Sequence, residues 1–242
     1  MNPDKSFAAI ICAAGSSSRM GGLKKEYCLL PGTANTVLAQ AVLAFAAFSC
    51  ISRIIITVPD DQQTGEAAAR SALPPELLTG EQQRISFTAG GSTRRASVHN
   101  AISALSAYRP DYVLIHDGSR PWVSARLIGQ IMQAVQEHQA VIPLLPLTDT
   151  PKEISFPVVT GTALPVITRH LRRDVTGIAQ TPQAFAYPEI FAAQGKAARQ
   201  EKAGLREYTD DAEVWGEFCG PVAVIPGEPE NRKITFPGDL EA

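Results

Sequence analysis

Small-residue turns that carry basic side chains recur in this chain, and such turns suit the holding of phosphate. The first is AAGSSSRMGGLKKEY, Ala13 to Tyr27. Small residues let backbone N–H groups approach phosphate oxygens, and Arg19, Lys24 and Lys25 can bring positive charge to the same anion. The spacing is neither GxGxxG nor a P-loop, because three serines follow Gly15 and no GK[ST] closes the run. The stretch also reads as a flexible loop with solvated basic residues.

A second group is HDGSRP, His116 to Pro121, directly after an apolar run. An acid and an arginine three apart at a strand end can face one crevice. Asp117 would take a ribose hydroxyl or a metal ion and Arg120 a phosphate, or the two would simply pair. A third group, GGSTRRASV from Gly90 to Val98, leads glycines into a helix start with Ser92 and Thr93 as candidate caps. Helix starts attract anions and polar base edges, although a cap needs no ligand to explain it. Farther along stand TPQAF (Thr181–Phe185), TDDAEVW (Thr209–Trp215) and NRKIT (Asn231–Thr235). Thr209 or Asp210 can cap the helix that follows, and Lys233 alone reads as an ordinary surface lysine.

The elements that must position these residues follow from hydrophobic periodicity. Apolar runs at Phe7–Ala13, Arg53–Val58, Ile85–Thr88, Tyr112–Ile115, Ala140–Leu145 and Pro221–Ile225 alternate with helical patterns near 36–48, 93–107 and 124–138. That alternation predicts an α/β fold, a mostly parallel sheet with helices on both faces. Ligands collect at the carboxyl ends of strands in such sheets, which selects the loops 13–22, 90–97 and 116–121. From Asp149 to Arg173 the sequence is rich in Pro, Thr and β-branched residues and has no amphipathic pattern. A structureless loop of that length is uncommon in a compact domain, so a projecting β-arm reaching toward another subunit is expected. Residues 1–242 are read as one domain bearing that arm, with no second catalytic domain.

Composition narrows the function classes. The 242 residues are 45% apolar and 19% charged, with a net charge of −2, so neither nucleic acid nor an anionic membrane is an expected partner. The four cysteines show no zinc-site spacing, and Cys12 reads as a small core residue in a reducing cytoplasm. Asp4 and Lys5 lead straight into a strand, so no N-terminal signal is expected. No apolar stretch reaches the length of a membrane span.

Taken in order, AAG…RM…KEY, GG…SV, HDGSRP, DTPK (Asp149–Lys152), TPQAF, TDDA and NRKITFPGDL resemble the 2-C-methyl-D-erythritol 4-phosphate cytidylyltransferases of the non-mevalonate isoprenoid pathway. The resemblance implies a Rossmann-like nucleotidyltransferase fold, a cytoplasmic homodimer with interlocked β-arms, CTP, and Mg²⁺ held mainly by the CTP triphosphate. It implies that Arg19 and Lys25 hold the triphosphate and stabilise charge on the α-phosphate. Ala13, Ala14, Gly15, Gly91, Ser92 and Ser97 would line the cytidine site, with Asp117, Gly118 and Arg120 between the ribose and the acceptor phosphate. Thr150 and Arg173 on the arm would reach the acceptor bound mainly by the partner subunit, and Thr209 and Lys233 would complete that acceptor site. The chain departs from the family pattern at Cys12 (usually Pro), at HDGSRP (usually HDAARP) and at Ser92 (near a usual acid). The last removes a carboxylate from the cytosine site.

The implied reaction is attack of an acceptor phosphate oxygen on the α-phosphorus of CTP. A phosphate monoester is already anionic, so no Ser, Cys or His nucleophile is required, and fixed cations with Mg²⁺ offset the gathering charge. In-line positioning supplies much of the rest. Three rivals share parts of the pattern. They are a ribitol 5-phosphate cytidylyltransferase, a non-catalytic nucleotide-binding protein on the same fold, and a dinucleotide-dependent oxidoreductase. The last is weakened by the missing GxGxxG and by Val58-Pro59 where an acid should end the second strand, with Asp60 only close by.

Overall fold

A computed structural model describes residues 5–59, 62–79, 84–155 and 164–241; Asp4, Asp60 and the centre of the expected arm, 156–163, lie outside them. The fold is built on β1 (Phe7–Cys12), whose backbone pairs in parallel with β2 (Ile51–Val58) on one side and β4 (Tyr112–Asp117) on the other. Beyond β2 lies parallel β3 (Ile85–Ala89). On the far side, β9 (Gln183–Ala186) runs antiparallel between β4 and β5 (Ala140–Pro146), and β10 (Ala223–Pro226) pairs in parallel with β5. A short β8 (Gly177–Ala179) also pairs antiparallel with β5.

Helices cover both faces. α1 (Val37–Ala46), α2 (Gln62–Ser71) and α4 (Ala125–His138) are joined by α3 (Arg94–Ala104), α5 (Tyr187–Lys202) and α6 (Asp211–Phe218). In β1 the side chains of Phe7, Ala9 and Ile11 join the core under α1 and α4, with Leu38, Phe45 and Ile131. Ala8 and Ile10 join the opposite core under α3, α5 and α6, with Val98, Ile102, Ile190 and Trp215. A strand buried on both faces needs apolar residues at every position, which is why β1 reads as a continuous run rather than an alternation. Thr36, Thr93, Ser124 and Asp210 cap α1, α3, α4 and α6, each accepting from a backbone N–H three residues on.

The chain lays β2 and β3 on one side of β1 and then returns to place β4 on the other. A crevice opens at that reversal, outside the carboxyl ends of β1 and β4. Within the segment expected to form an arm, β6 (Lys152–Ser155) and β7 (Val166–His170) make a separate antiparallel pair. Among the described residues no helix is long and apolar enough to cross a membrane.

Candidate active site

The crevice is a cavity of about 450 Å³. Its floor is one row across three strands, because Cys12 stands in register with Thr57 on one side and Asp117 on the other, and all three line the cavity. Thr57 Oγ1 accepts the Ala13 N–H at 3.0 Å, so the chain leaves β1 in a fixed direction. The N-terminal end of α3 forms one wall with Gly91, Ser92, Thr93 and Ser97, bringing the positive end of the helix dipole to the cavity. Ser97 is tied into that wall: its hydroxyl accepts the Gly91 N–H at 2.9 Å and donates to Thr93 O at 3.0 Å.

Facing that wall, the loop after β1 contributes Ala14, Gly15 and Arg19, and the short turn Lys25–Tyr27 contributes Lys25 and Glu26. Burial lowers the Lys25 ammonium below its ordinary value; Glu26 opposes the shift, while Lys233 and Arg19 add to it. A neighbourhood that disfavours cations is one an anion relieves. Lys24 differs from its neighbour, because its ammonium is engaged by the Gly15 carbonyl and by Glu26.

Asp117 is the charge hub. Its carboxylate lies 2.9 Å from Lys233 Nζ, 3.4 Å from Arg94 Nε and 3.6 Å from Arg120 Nε. Burial alone would raise its pKa, but Lys233, Arg94 and Arg120 together hold it well below the usual carboxylate range. Arg94 reaches a second carboxylate, Asp211, at 2.7 Å. Burial raises the Asp211 pKa against the pull of Arg94.

The hub is fixed in place by His116. Its Nδ1 lies 3.0 Å from Thr181 Oγ1 and its Nε2 3.0 Å from Arg120 O, while Thr181 Oγ1 also accepts the Asp117 N–H at 3.1 Å. A carbonyl only accepts, so Nε2 carries the proton and Nδ1 accepts from the threonine hydroxyl. Burial lowers the His116 pKa to about 4, which keeps this neutral tautomer.

The later motifs meet here. Gln183 donates to Asp210 Oδ2 at 3.0 Å and accepts the Ala212 N–H at 3.1 Å, joining TPQAF to TDDA. Asn231 donates to Thr181 O at 2.7 Å, and its own carbonyl accepts from Arg120 Nη1 at 2.7 Å. Ile234 N–H donates to Ser119 O at 2.9 Å. These bonds place Lys233, between Asn231 and Ile234, at the end of β4.

Of the residues selected from sequence, Ala14, Gly15, Arg19, Lys25, Gly91, Ser92, Ser97, Asp117 and Lys233 line this cavity. Ala13, Gly118 and Arg120 are buried behind it. Gly118 packs so close to β1 that a Cβ would lie 3.0 Å from Cys12 O. Thr150 and Arg173 are exposed at the base of the β6–β7 pair, where Arg173 donates to Thr148 O at 3.0 Å. Thr209 is exposed outside the lining, its hydroxyl and N–H both donating to Glu213. Thr57, Arg94 and Glu26 line the cavity without having been singled out. For Thr57 the signal was a hydroxyl interrupting an apolar strand near its carboxyl end; Arg94 lay inside GGSTRRASV, and Glu26 inside the KEY motif.

A sequence profile of the 2-C-methyl-D-erythritol 4-phosphate cytidylyltransferase (IspD) family matches residues 7–242. The chain is 36% identical over 237 residues to the Cereibacter sphaeroides protein named 2-C-methyl-D-erythritol 4-phosphate cytidylyltransferase, covering 96% of this chain and 93% of that one. It is 35% identical over 241 residues to a Bartonella bacilliformis protein named bifunctional enzyme IspD/IspF, covering 98% of this chain and 55% of the relative. The chain thus spans about half the length of such bifunctional relatives. The Anaerococcus prevotii 4-diphosphocytidyl-2C-methyl-D-erythritol synthase structure superposes with a TM-score of 0.76 at 28% identity, covering 98% of this chain and 93% of that one.

Proposed function

The chain belongs to the 2-C-methyl-D-erythritol 4-phosphate cytidylyltransferase family, and on that premise we propose that it transfers the cytidylyl group of CTP to 2-C-methyl-D-erythritol 4-phosphate, releasing pyrophosphate. The observation that carries this reading is the meeting of Arg19, Lys25 and Lys233 on one cavity whose opposite wall is a helix N-terminus. Two polyanions must approach each other there, and fixed cations are the groups that permit it.

In this reading the triphosphate lies between the Ala14–Arg19 loop and Lys25. The cytidine lies against Gly91, Ser92 and Ser97, with Ala13 and Gly118 shaping the floor from behind. Lys233 turns from Asp117 toward the reacting phosphates, and Arg120 steadies Asp117 from below. The acceptor phosphate oxygen attacks the α-phosphorus, the bond to the bridging oxygen breaks, and pyrophosphate carries the electron pair away. Mg²⁺ would be held mainly by the triphosphate and would offset its charge. The protein's own donors suit that assignment, since the two carboxylates on the cavity wall, Asp117 and Glu26, are already paired with cations.

The arm belongs to the same proposal. Ile154, Leu164, Val166, Ile167, Val175 and Ile178 are all more than half exposed on β6, β7, β8 and their flanks. A two-stranded ribbon is marginal by itself, and an apolar surface of this kind fits burial against a second copy. A homodimer would cover it and would carry Thr150 and Arg173 toward the partner's acceptor site, with Thr209 at that site's edge. The test is pyrophosphate release from CTP and Mg²⁺ with either 2-C-methyl-D-erythritol 4-phosphate or ribitol 5-phosphate. Release with the first alone is expected. Release with the second alone would reassign the acceptor, and release with neither would remove the catalytic reading.

A further inference from the structure

The loop that faces the triphosphate in this reading is anchored at its far end, where Met20 is buried and its N–H donates to Ser17 O at 2.9 Å, but its start at Gly15 and Ser16 is exposed. A Cβ at Gly15, Gly21 or Gly22 would meet nothing within 4 Å, so the turn is not wedged by packing. Ser17 holds φ at 51°, a left-handed conformation that non-glycine residues adopt at a cost. Contacts from outside the turn therefore favour one conformation of its start.

Lys24 and Glu26 supply contacts at two points of it. The Lys24 ammonium donates to the Gly15 carbonyl and pairs with Glu26 Oε2 at 3.3 Å. The same carboxylate oxygen accepts from Ser17 Oγ at 3.3 Å. Both partners are shielded, with side chains 19% and 5% exposed, so the pair is little screened by solvent. Glu26 also lines the cavity, where an unpaired carboxylate would repel an incoming polyanion. Lys24 does not line the cavity; it restrains the loop and cancels that charge.

We propose that Lys24 and Glu26 form a clamp that holds the Gly15–Ser17 turn in its triphosphate-receiving shape. This rests on reading the cavity as a nucleoside triphosphate site. Both are positioning residues: neither acts on phosphorus, and their effect falls on binding in ground and transition states alike. Removing such an interaction raises KM and leaves kcat in place.

The test compares wild type, K24M, E26Q and K24M/E26Q. K24M should raise KM for CTP about tenfold with kcat within about twofold, the size of one lost charge-assisted hydrogen bond. K24M/E26Q should recover part of that rise, to within roughly threefold of wild type, because the stranded carboxylate is gone. E26Q alone should raise KM about threefold and reads the clamp even if K24M does not fold. Hydrogen exchange of the ligand-free protein gives an independent readout, in which the segment 13–22 should exchange faster in K24M than in wild type. A wild-type KM in both K24M and E26Q would overturn the clamp, as would a fall in kcat alone or unchanged exchange in 13–22. If the wild-type protein itself does not turn over CTP, the functional reading fails and the exchange experiment still decides the clamp.

Discussion

Gly90 leads from β3 toward α3, and its N–H donates to Val58 O at 2.7 Å. A Cβ added there would lie 2.4 Å from Ala14 Cβ, 3.0 Å from Ser97 Oγ and 3.2 Å from Val58 O. Non-bonded carbons rest about 3.5–4.0 Å apart, so Gly90→Ala requires a movement of more than about 1 Å. The other two contacts block retreat. Gly90 is not among the positive-φ glycines, so the penalty is steric rather than conformational. Overpacking of this kind costs about 1–3 kcal/mol, and the number of close contacts places it near about 2 kcal/mol. Because Ala14 lines the cavity, KM for CTP should rise together with the loss of stability. Ala14→Gly removes the nearest clashing atom, at its own cost of about 0.5–1 kcal/mol in backbone freedom. The double variant should therefore be more stable than Gly90→Ala alone, a non-additivity that urea unfolding measures directly. A Gly90→Ala protein within about 0.5 kcal/mol of wild type, or strictly additive free energies, would refute the packing argument.

Three other outcomes are expected. Arg19→Ala and Lys233→Ala should each lower turnover by at least about tenfold in the pyrophosphate assay, as loss of an oxyanion-type donor does; near-normal turnover in both would defeat their assignment. His116 is held neutral with its pKa at about 4, against about 6.5 when unfolded, so the unfolded chain takes up the proton first. Stability should fall as pH drops from about 6.5 to about 4, by roughly 3 kcal/mol from this group; denaturation of His116→Gln at several pH values should show a flatter slope over that window. Arg173→Ala should weaken acceptor binding, and mixed dimers that supply one intact arm should recover activity; a fully active monomer would contradict the shared site.

The sequence made the parallel part of the sheet legible because β1, β2 and β4 are buried on both faces and so appear as apolar runs. It made α1, α3 and α4 legible through their helical patterns, with Thr93 as a further cap signal for α3 alone. β9 was not read as a strand: Gln183–Ala186 has only four residues and lies inside a motif. α2 (QQTGEAAARS) was not read as a helix: its only apolar residues are alanines, so no large apolar side chains mark a buried face. In the site, the cationic residues were visible as types but their tasks were not. Lys24 and Lys25 are adjacent and alike in type, and the structure separates them: Lys24 is engaged by Gly15 O and Glu26, whereas Lys25 lines the cavity. The roles of Thr181, Gln183 and Asn231 depend on partners more than 25 residues distant in the chain, beyond the reach of local pattern.

The cavity draws its walls from Cys12 through Thr235, and this has a consequence for biosynthesis. A ribosome adding about 5–20 residues per second leaves the Ala13–Lys25 loop waiting on the order of tens of seconds for Lys233. During that interval the central strands can collapse around β1, but the crevice lacks the segment from Asn231 to Thr235 and the lysine that faces Asp117. In the proposed reading, a nascent chain therefore lacks the Lys233 side of this pocket until that segment has been synthesised. On that reading, nucleotide would meet a sheet already formed around β1 rather than act as a template for it.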